Sequence, residues 1–426
     1  MKTSLYASLI IFLAIPAFWF VGKKINYWQQ TPKEVQKIKK NTPLLTNQLL
    51  HYPHSKADTL IEKFRTDWQL AAVSVAVAYK GKIVFAKAYG QADTEQQEAA
   101  QPYHLFRMAS VSKLITAAAI MKLVETGKIR LDSKVFGKNG ILNDTIFTNA
   151  VQNELVFEIE VQHLLRHTAG WWNKFRTDPM FVPLLVAESM KVSPPPSLEN
   201  TMIFMLSQKK LFRAGTLFDY SNFGYCVLGK VIEKVSGQSY ENFVKKALLE
   251  PIGIQTMQLG KTFRKDRQKN EVCYYDYQGA NPKLSILGTG DTVSRAYGGN
   301  YLEPLAAAGA WIASGVDLLK FVLAIDGLNP KTDILNKESI ELMTQASDST
   351  QHQEIGWRSC DTQKCWRSGS LAGTNALVWQ EKNGFTWVFL SNTSTWRGPR
   401  FSFDIISLMN RVLPKMPLKE NEFLNP

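Results

Sequence analysis

The sequence predicts a mixed α/β protein whose antiparallel sheet is built from both ends of the chain, with a helical region inserted between them. Three observations carry this. Near the start of the folded part, AAVSVAVAYKGKIVFAKAYG places two apolar runs around Lys80-Gly81, a hairpin signal. Near the end, TNALVWQ and FTWVFLSN flank Lys382-Asn383-Gly384, a second hairpin signal. Between Val161 and Asn300 the pattern is mainly helical with loops, punctuated by the prolines Pro194 to Pro196.

The remaining elements fit around that frame. SKLITAAAIMKLVETGKI reads as a helix closed by Gly127, and SFDIISLMNRVL as a helix that ends the fold. Ser314 with Asp317 resembles a capping box opening the helix SGVDLLKFVLAI. The domain reading is an apolar segment over 1–21, a polar linker over 22–60 running into a helix, a folded domain over 61–415 and a short tail over 416–426.

The formal charge of +13 requires locating before it is interpreted. Residues 1–40 hold seven lysines against one acidic residue, and the remaining basic residues are scattered. No Arg-rich helix, zinc-finger spacing or aromatic RNP-like strand accompanies them, so nucleic acid is not the expected partner. A mildly basic surface facing an anionic membrane or cell wall is the better reading.

From Ser4 to Val21 the chain reads SLYASLIIFLAIPAFWFV, eighteen residues without charge. That is the short edge of a spanning helix and long for a signal-peptide core. Ile15 spoils the A-x-A site that would end at Ala17, which favours an uncleaved anchor and membrane attachment through this segment. The expected location is the cell envelope, with the domain periplasmic or extracellular, although the lysines after the run outnumber those before it and argue for the opposite orientation. Of the four cysteines, Cys360 and Cys365 bracket a short turn and either close a small loop in an oxidising compartment or stay unpaired thiols. Cys226 reads as a buried helix thiol, and Cys273 has no evident partner.

Three short motifs carry chemistry. In the first, Ser110-Val111-Ser112-Lys113 sets a serine and a lysine three apart at the start of a helix, where they share a face. A serine hydroxyl is a weak nucleophile without a base in hydrogen-bond reach, and the helix start favours the alkoxide. About two such S-x-x-K spacings are expected by chance in a chain of this length. The second instance, Ser207-Gln208-Lys209-Lys210, looks like the frayed end of a surface helix. The second motif, Tyr220-Ser221-Asn222, offers a phenol to share a proton with the lysine and an amide to hold the lysine and a substrate carbonyl. Its decoy, Tyr240-Glu241-Asn242, lies within a helix, where positions two apart diverge. In the third, Arg367-Ser368-Gly369-Ser370 precedes a strand and is expected to line a cleft. Gly369 would admit a substrate backbone, and the amides of Ser370 and Ser110 would form an oxyanion hole.

The ordered trio, with the blocks RMASVSKLITA, VQHLLRHTAG, AGTLFDYSNFGYCVLGKVIEKVSG, LLEPIGI and RSGSLAGT, resembles the serine β-lactamase and penicillin-binding-protein family. Tyr-x-Asn as second motif places the likeness in the branch of class C β-lactamases, D-alanyl-D-alanine carboxypeptidases and serine esterases. It covers roughly residues 70–395. The resemblance implies an α/β sandwich with an inserted all-helical subdomain, an acyl-enzyme intermediate, and no metal or other cofactor. It makes Ser110 the nucleophile, Lys113 and Tyr220 the acid/base pair, and Asn222 the substrate-orienting amide. The implied substrate is a small peptide, β-lactam or ester.

The chain departs from the family at Arg367, where lysine or histidine is usual, and at Ala214, where proline is usual; the stretch 171–213 also looks long. Arg367 is expected to grip a substrate carboxylate with two parallel hydrogen bonds, or else to turn away and pair with Asp361. His163 and His167, four apart, suggest a metal pair, but no Glu follows His163 and no third ligand is evident. Trp171 and Trp172 are candidate cleft residues. A catalytically silent cell-wall or β-lactam sensor on the same fold is the rival class; it need not keep Ser110, Lys113 and Tyr220 together.

Overall fold

The computed structural model describes residues 45–48, 54–171, 177–208, 212–329, 331–345 and 354–416. The predicted apolar segment 1–21, most of the linker and the C-terminal tail, together with Trp172, Lys209 and Lys210, lie outside the described residues. All described residues belong to one compact unit that begins at Leu44. No helix among them is long and apolar enough to cross a membrane.

Helix α1 (Lys56–Asp67) opens the description, so the folded part takes in residues assigned above to the linker. Its start is fixed by a capping box between Ser55 and Asp58. The Asp58 carboxylate also accepts from Lys87 Nζ at 2.8 Å and Tyr89 Oη at 2.9 Å, a buried cluster that clips the helix to the sheet. Strands β1 (Ala72–Tyr79) and β2 (Lys82–Asp93) form the first predicted hairpin, and β3 (Glu98–Ala99) extends it.

The insertion begins with β4 (Phe106–Arg107), a 3-10 turn over Ala109–Val111 and α2 (Ser112–Glu125). It continues through α3 (Thr145–Ala150), α4 (Val161–Leu165), α5 (Pro183–Met190), α6 (Leu198–Leu206), α7 (Asn222–Ser236) and α8 (Tyr240–Val244). It also carries two small sheets. β5 (Gln258–Leu259) and β8 (Trp311–Ala313) pair with β4 in the order β4-β8-β5, and β6 (Lys283–Leu284) pairs with β7 (Thr292–Val293). Helices α9 (Ala306–Gly309), α10 (Gly315–Leu323) and α11 (Lys337–Thr344) lead back to the main sheet. Strands β9 (Ser359–Cys360), β10 (Lys364–Leu371), β11 (Thr374–Glu381) and β12 (Phe385–Ser391) then precede α12 (Phe401–Val412).

The large sheet has the order β3-β2-β1-β12-β11-β10-β9, so the two ends of the chain meet where β1 pairs with β12. Period-two alternation along β1 sorts its side chains onto two cores. Val73, Val75 and Val77 pack with Phe64 of α1 and Phe401, Ile405 and Leu408 of α12. Ala72, Ala76 and Ala78 face the core that contains α2 and α10. Those small residues let α10 come close: a Cβ on Gly315 would stand 2.8 Å from Ser74 Oγ. The Ser314 cap of α10 is present, but Asp317 turns its own side chain to Thr256, so only half of the predicted box forms. Cys360 and Cys365 face each other across β9 and β10 and are bonded, whereas Cys226 and Cys273 are buried free thiols.

Candidate active site

Ser110 lies in the 3-10 turn just before α2, and Ala109 ahead of it holds a left-handed φ of 46°. That conformation costs a non-glycine residue free energy and persists only where packing enforces it. The enforcing contact is β10. A Cβ on Gly369 would stand 2.2 Å from Met108 O and 2.9 Å from Ser110 N. The backbone admitted by Gly369 is therefore the protein's own, not a substrate's as the sequence led us to expect.

Lys113 lies one helical turn beyond and is fully buried. Its Nζ donates to Ala308 O at 2.7 Å, Asn222 Oδ1 at 2.8 Å and Ser110 Oγ at 3.3 Å. Burial pulls this amine below its ordinary range, and the Arg367 charge adds to that while Tyr220 opposes it. Three acceptors match the three hydrogens of the ammonium form, so we assign Lys113 as charged.

Tyr220 Oη lies 2.8 Å from Ser110 Oγ and accepts from Arg367 Nη2 at 3.0 Å. Burial alone would raise this phenol, but the charges of Lys113 and then Arg367 outweigh it and bring the pKa down to about 8. The imidazole of His167 packs on the Tyr220 ring with centroids 4.4 Å apart. Its Nδ1 accepts from Ser221 N–H at 3.1 Å, and burial, then the nearby cations, keep it neutral. Helix α4 ends at Leu165, before His167, and His163 Nδ1 accepts from Glu160 N–H at the other end of that helix. The two histidines thus do not share the helical face that a metal pair would need.

Asn222 is the first residue of α7, and its N–H donates to Asp178 Oδ2 at 2.6 Å. That carboxylate also accepts from Phe223 N–H and Met180 N–H, which ties the Tyr220–Asn222 segment to a loop 44 residues upstream. Burial raises its pKa while the backbone bonds oppose the shift.

Arg367 is inside the cluster, but not in either predicted role. Its side chain is 2% exposed. Nε donates to Ser110 O at 2.9 Å, Nη1 to Gly356 O and Trp357 O, and Nη2 to Tyr220. With four of its five N–H groups committed to the protein, the guanidinium has no bidentate face to offer a carboxylate. Asp361, the proposed alternative partner, pairs with Lys364. Arg367 instead binds the Ser110 backbone and the Tyr220 phenol together.

Ser368 and Ser370 follow on β10. β9 pairs with Cys365 and Trp366, and among the described residues no strand pairs with the rest of this edge. Trp366 O accepts from Arg358 N–H on the β9 side. Antiparallel alternation then turns the backbone groups of Ser368 and Ser370 to that same side, beside Ser110. A cleft of about 580 Å³ adjoins Tyr220, lined by Trp171, Met205, Phe212, Leu217 and Phe218. A larger cleft, of about 940 Å³, opens near the far end of α2 at Lys122 and touches none of the site residues.

Ser207, the rival S-x-x-K serine, is the C-cap of α6, bonded through Oγ to Phe204 O. Sequence reasoning missed Ala308 O, Asp178 and the packing of His167 on the Tyr220 ring. None has a local signal, because each reaches the site from a distant segment.

Several known proteins resemble this chain. The Protein flp of Staphylococcus aureus is 26% identical over 229 residues, covering 54% of this chain. The chain spans only 42% of that relative's length. The octameric penicillin-binding protein homologue from Pyrococcus abyssi superposes with a TM-score of 0.61 at 24% identity, covering 84% of this chain and 76% of its own. The D-amino acid amidase of Ochrobactrum anthropi SV3 gives 0.63 at 20% identity, covering 84% and 98%. At such identities the two structures share the fold. The Beta-lactamase family model itself matches residues 57–402, an interval holding all three motifs and the whole large sheet, and the chain belongs to that family.

Proposed function

We propose that the protein is a serine hydrolase that forms an acyl-enzyme on Ser110 with an amide, peptide or ester substrate. The observation that carries this reading is the position of Ser110 Oγ, 2.8 Å from Tyr220 Oη and 3.3 Å from Lys113 Nζ. Ionised Tyr220 takes the Ser110 proton as Oγ attacks the carbonyl, and the Ser110 and Ser370 amides receive the negative charge that develops on oxygen. The phenol then returns that proton to the leaving amine or alcohol. A water attacks the acyl-enzyme with Tyr220 again as base, releasing the acid and restoring Ser110. Lys113 and Arg367 stay charged throughout and stabilise the phenolate. The site uses no metal ligand in these steps.

The family's substrates and the amidase similarity support an amide or ester, and the apolar cleft beside Tyr220 suits an apolar acyl or leaving group. The test is labelling with a fluorophosphonate and a fluorescent β-lactam. Ser110→Ala should lose all labelling and hydrolysis, Tyr220→Phe should lose about 10²-fold in rate, and Ser207→Ala should change neither. Unchanged labelling of Ser110→Ala would overturn the reading. We further propose an envelope location outside the cytoplasm, supported by the Cys360–Cys365 bond and the uncharged N-terminal run.

A further inference from the structure

A second cleft, of about 500 Å³, is built differently from the hydrolase site. It opens where the chain enters β1 and leaves β12, between Trp68, Tyr275, Tyr277 and Trp396. Its volume lies within the ~300–1,000 Å³ of small-ligand sites. Apart from these rings its lining is polar: carboxylates, amides and hydroxyls, with Ala71 as the one aliphatic residue and no lysine or arginine.

Trp396 is 71% exposed, an unusual state for a tryptophan on a folded protein. One face stacks on Trp68, with centroids 6.2 Å apart at 30°, and the Arg397 guanidinium lies 5.7 Å from the Trp396 centroid, so Trp396 is the ring of this pair that stays largely open. Two oxygens in the wall lack partners among the described residues. Thr395 is 5% exposed and its Oγ1 makes no hydrogen bond. Asp276 accepts from Ser294 Oγ and Arg295 N–H through Oδ2, which fixes the carboxylate, while Oδ1 remains unpaired. Unsatisfied buried oxygens are costly and call for an explanation such as a ligand or an ordered water.

From this arrangement we infer that the cleft binds a carbohydrate chain of pyranose rings. A pyranose offers an apolar C–H face to the exposed Trp396 ring and hydroxyls around its edge to the carboxylates and amides of the lining. Other ligands fit less well. An anion meets the carboxylates of Asp67 and Asp276, and of the guanidiniums beside the rings Arg397, over Trp396, is paired with Asp404 while Arg295 lies over Tyr277; an aliphatic ligand finds little aliphatic surface. A quaternary ammonium needs rings spaced around it, but Trp68 and Trp396 contact each other. Three strand spacings separate β1 from β10, on the order of 15 Å. The cleft is thus a separate site, and its ligand does not depend on the hydrolase reading.

The test is titration of the full-length protein with chitotetraose and cellotetraose, followed by tryptophan fluorescence and calorimetry. Choline and anionic phospholipid vesicles serve as competing probes. Saccharide binding is expected, with affinity falling about tenfold or more in Trp396→Ala and measurably in Thr395→Val. Hydrolysis of a small ester should be unchanged in both variants, and the same melting temperature as the parent would show them folded. No binding of either saccharide at millimolar concentration overturns the inference. So does saccharide affinity that ignores both substitutions, or binding of choline or vesicles in place of sugar.

Discussion

Replacing Arg367 with glutamine should move the pH dependence of catalysis, because its charge is one of two that hold Tyr220 at a pKa of about 8. A phenol with its ordinary value near 10 is about 0.1% ionised at pH 7, whereas one at 8 is about 9% ionised, a gain of nearly a hundredfold in active base. Arg367 Nη2 lies 3.0 Å from the phenol oxygen. A delocalised charge at ~4 Å in an effective dielectric of about 20 is worth up to about 4 kcal/mol, or three pKa units. Water entering the vacated space will screen part of that, so the expected shift is between one and three units.

The sign follows from the role of the base. Activity requires ionised Tyr220, so kcat/KM falls as pH drops below the apparent pKa, which belongs to the coupled Lys113–Tyr220 pair. In Arg367→Gln the acid limb should move up from about 8. The rate at pH 7 should fall about tenfold or more, with most of the loss recovered at high pH. Arg367→Lys keeps the charge and should shift the limb less. The assay is kcat/KM for a chromogenic ester across the pH range, with melting temperatures as a control. That control matters because Ser110 O, Gly356 O and Trp357 O lose a donor, at about 1–3 kcal/mol each if buried and unpaired. An unmoved limb with equal loss at every pH would refute the reasoning and leave Arg367 a purely structural tie.

Two further outcomes are expected. Gly369→Ala forces a methyl group against Met108 O and Ser110 N, so it should cost on the order of 1–3 kcal/mol and most of the activity; a stable, fully active variant would show that the strand does not set the position of Ser110. Protease added to intact cells with a permeabilised outer layer should digest the domain, and protection of the domain would refute the proposed envelope location.

The framework of the fold was legible because its signals are local. Lys80-Gly81 and Lys382-Asn383-Gly384 announce turns in place, and the runs beside them become β1, β2, β11 and β12. Their pairing across the whole chain is less local, yet a strand with two buried faces needs a neighbour on each edge, and the two hairpins supply it. The two- and three-residue strands β4, β5 and β8 were not legible. Pieces that short carry no periodicity, and they pair only because the insertion brings them together.

The site divides on the same line. Ser110 and Lys113 were readable because helical spacing alone joins them, and Tyr220 with Asn222 because a helix start fixes both. Arg367 shows where such reading stops. Residue type does not reveal its use, which depends on which acceptors surround it. Those acceptors are the carbonyls of Ser110, Gly356 and Trp357, backbone groups that every sequence contains and none advertises. A buried guanidinium is tolerable only when such groups satisfy it, and here they also hold it in its side-chain hydrogen bond to Tyr220. On the proposed mechanism, the departure from the family's usual lysine or histidine would therefore act less on which substrate is held than on how readily Tyr220 is ionised.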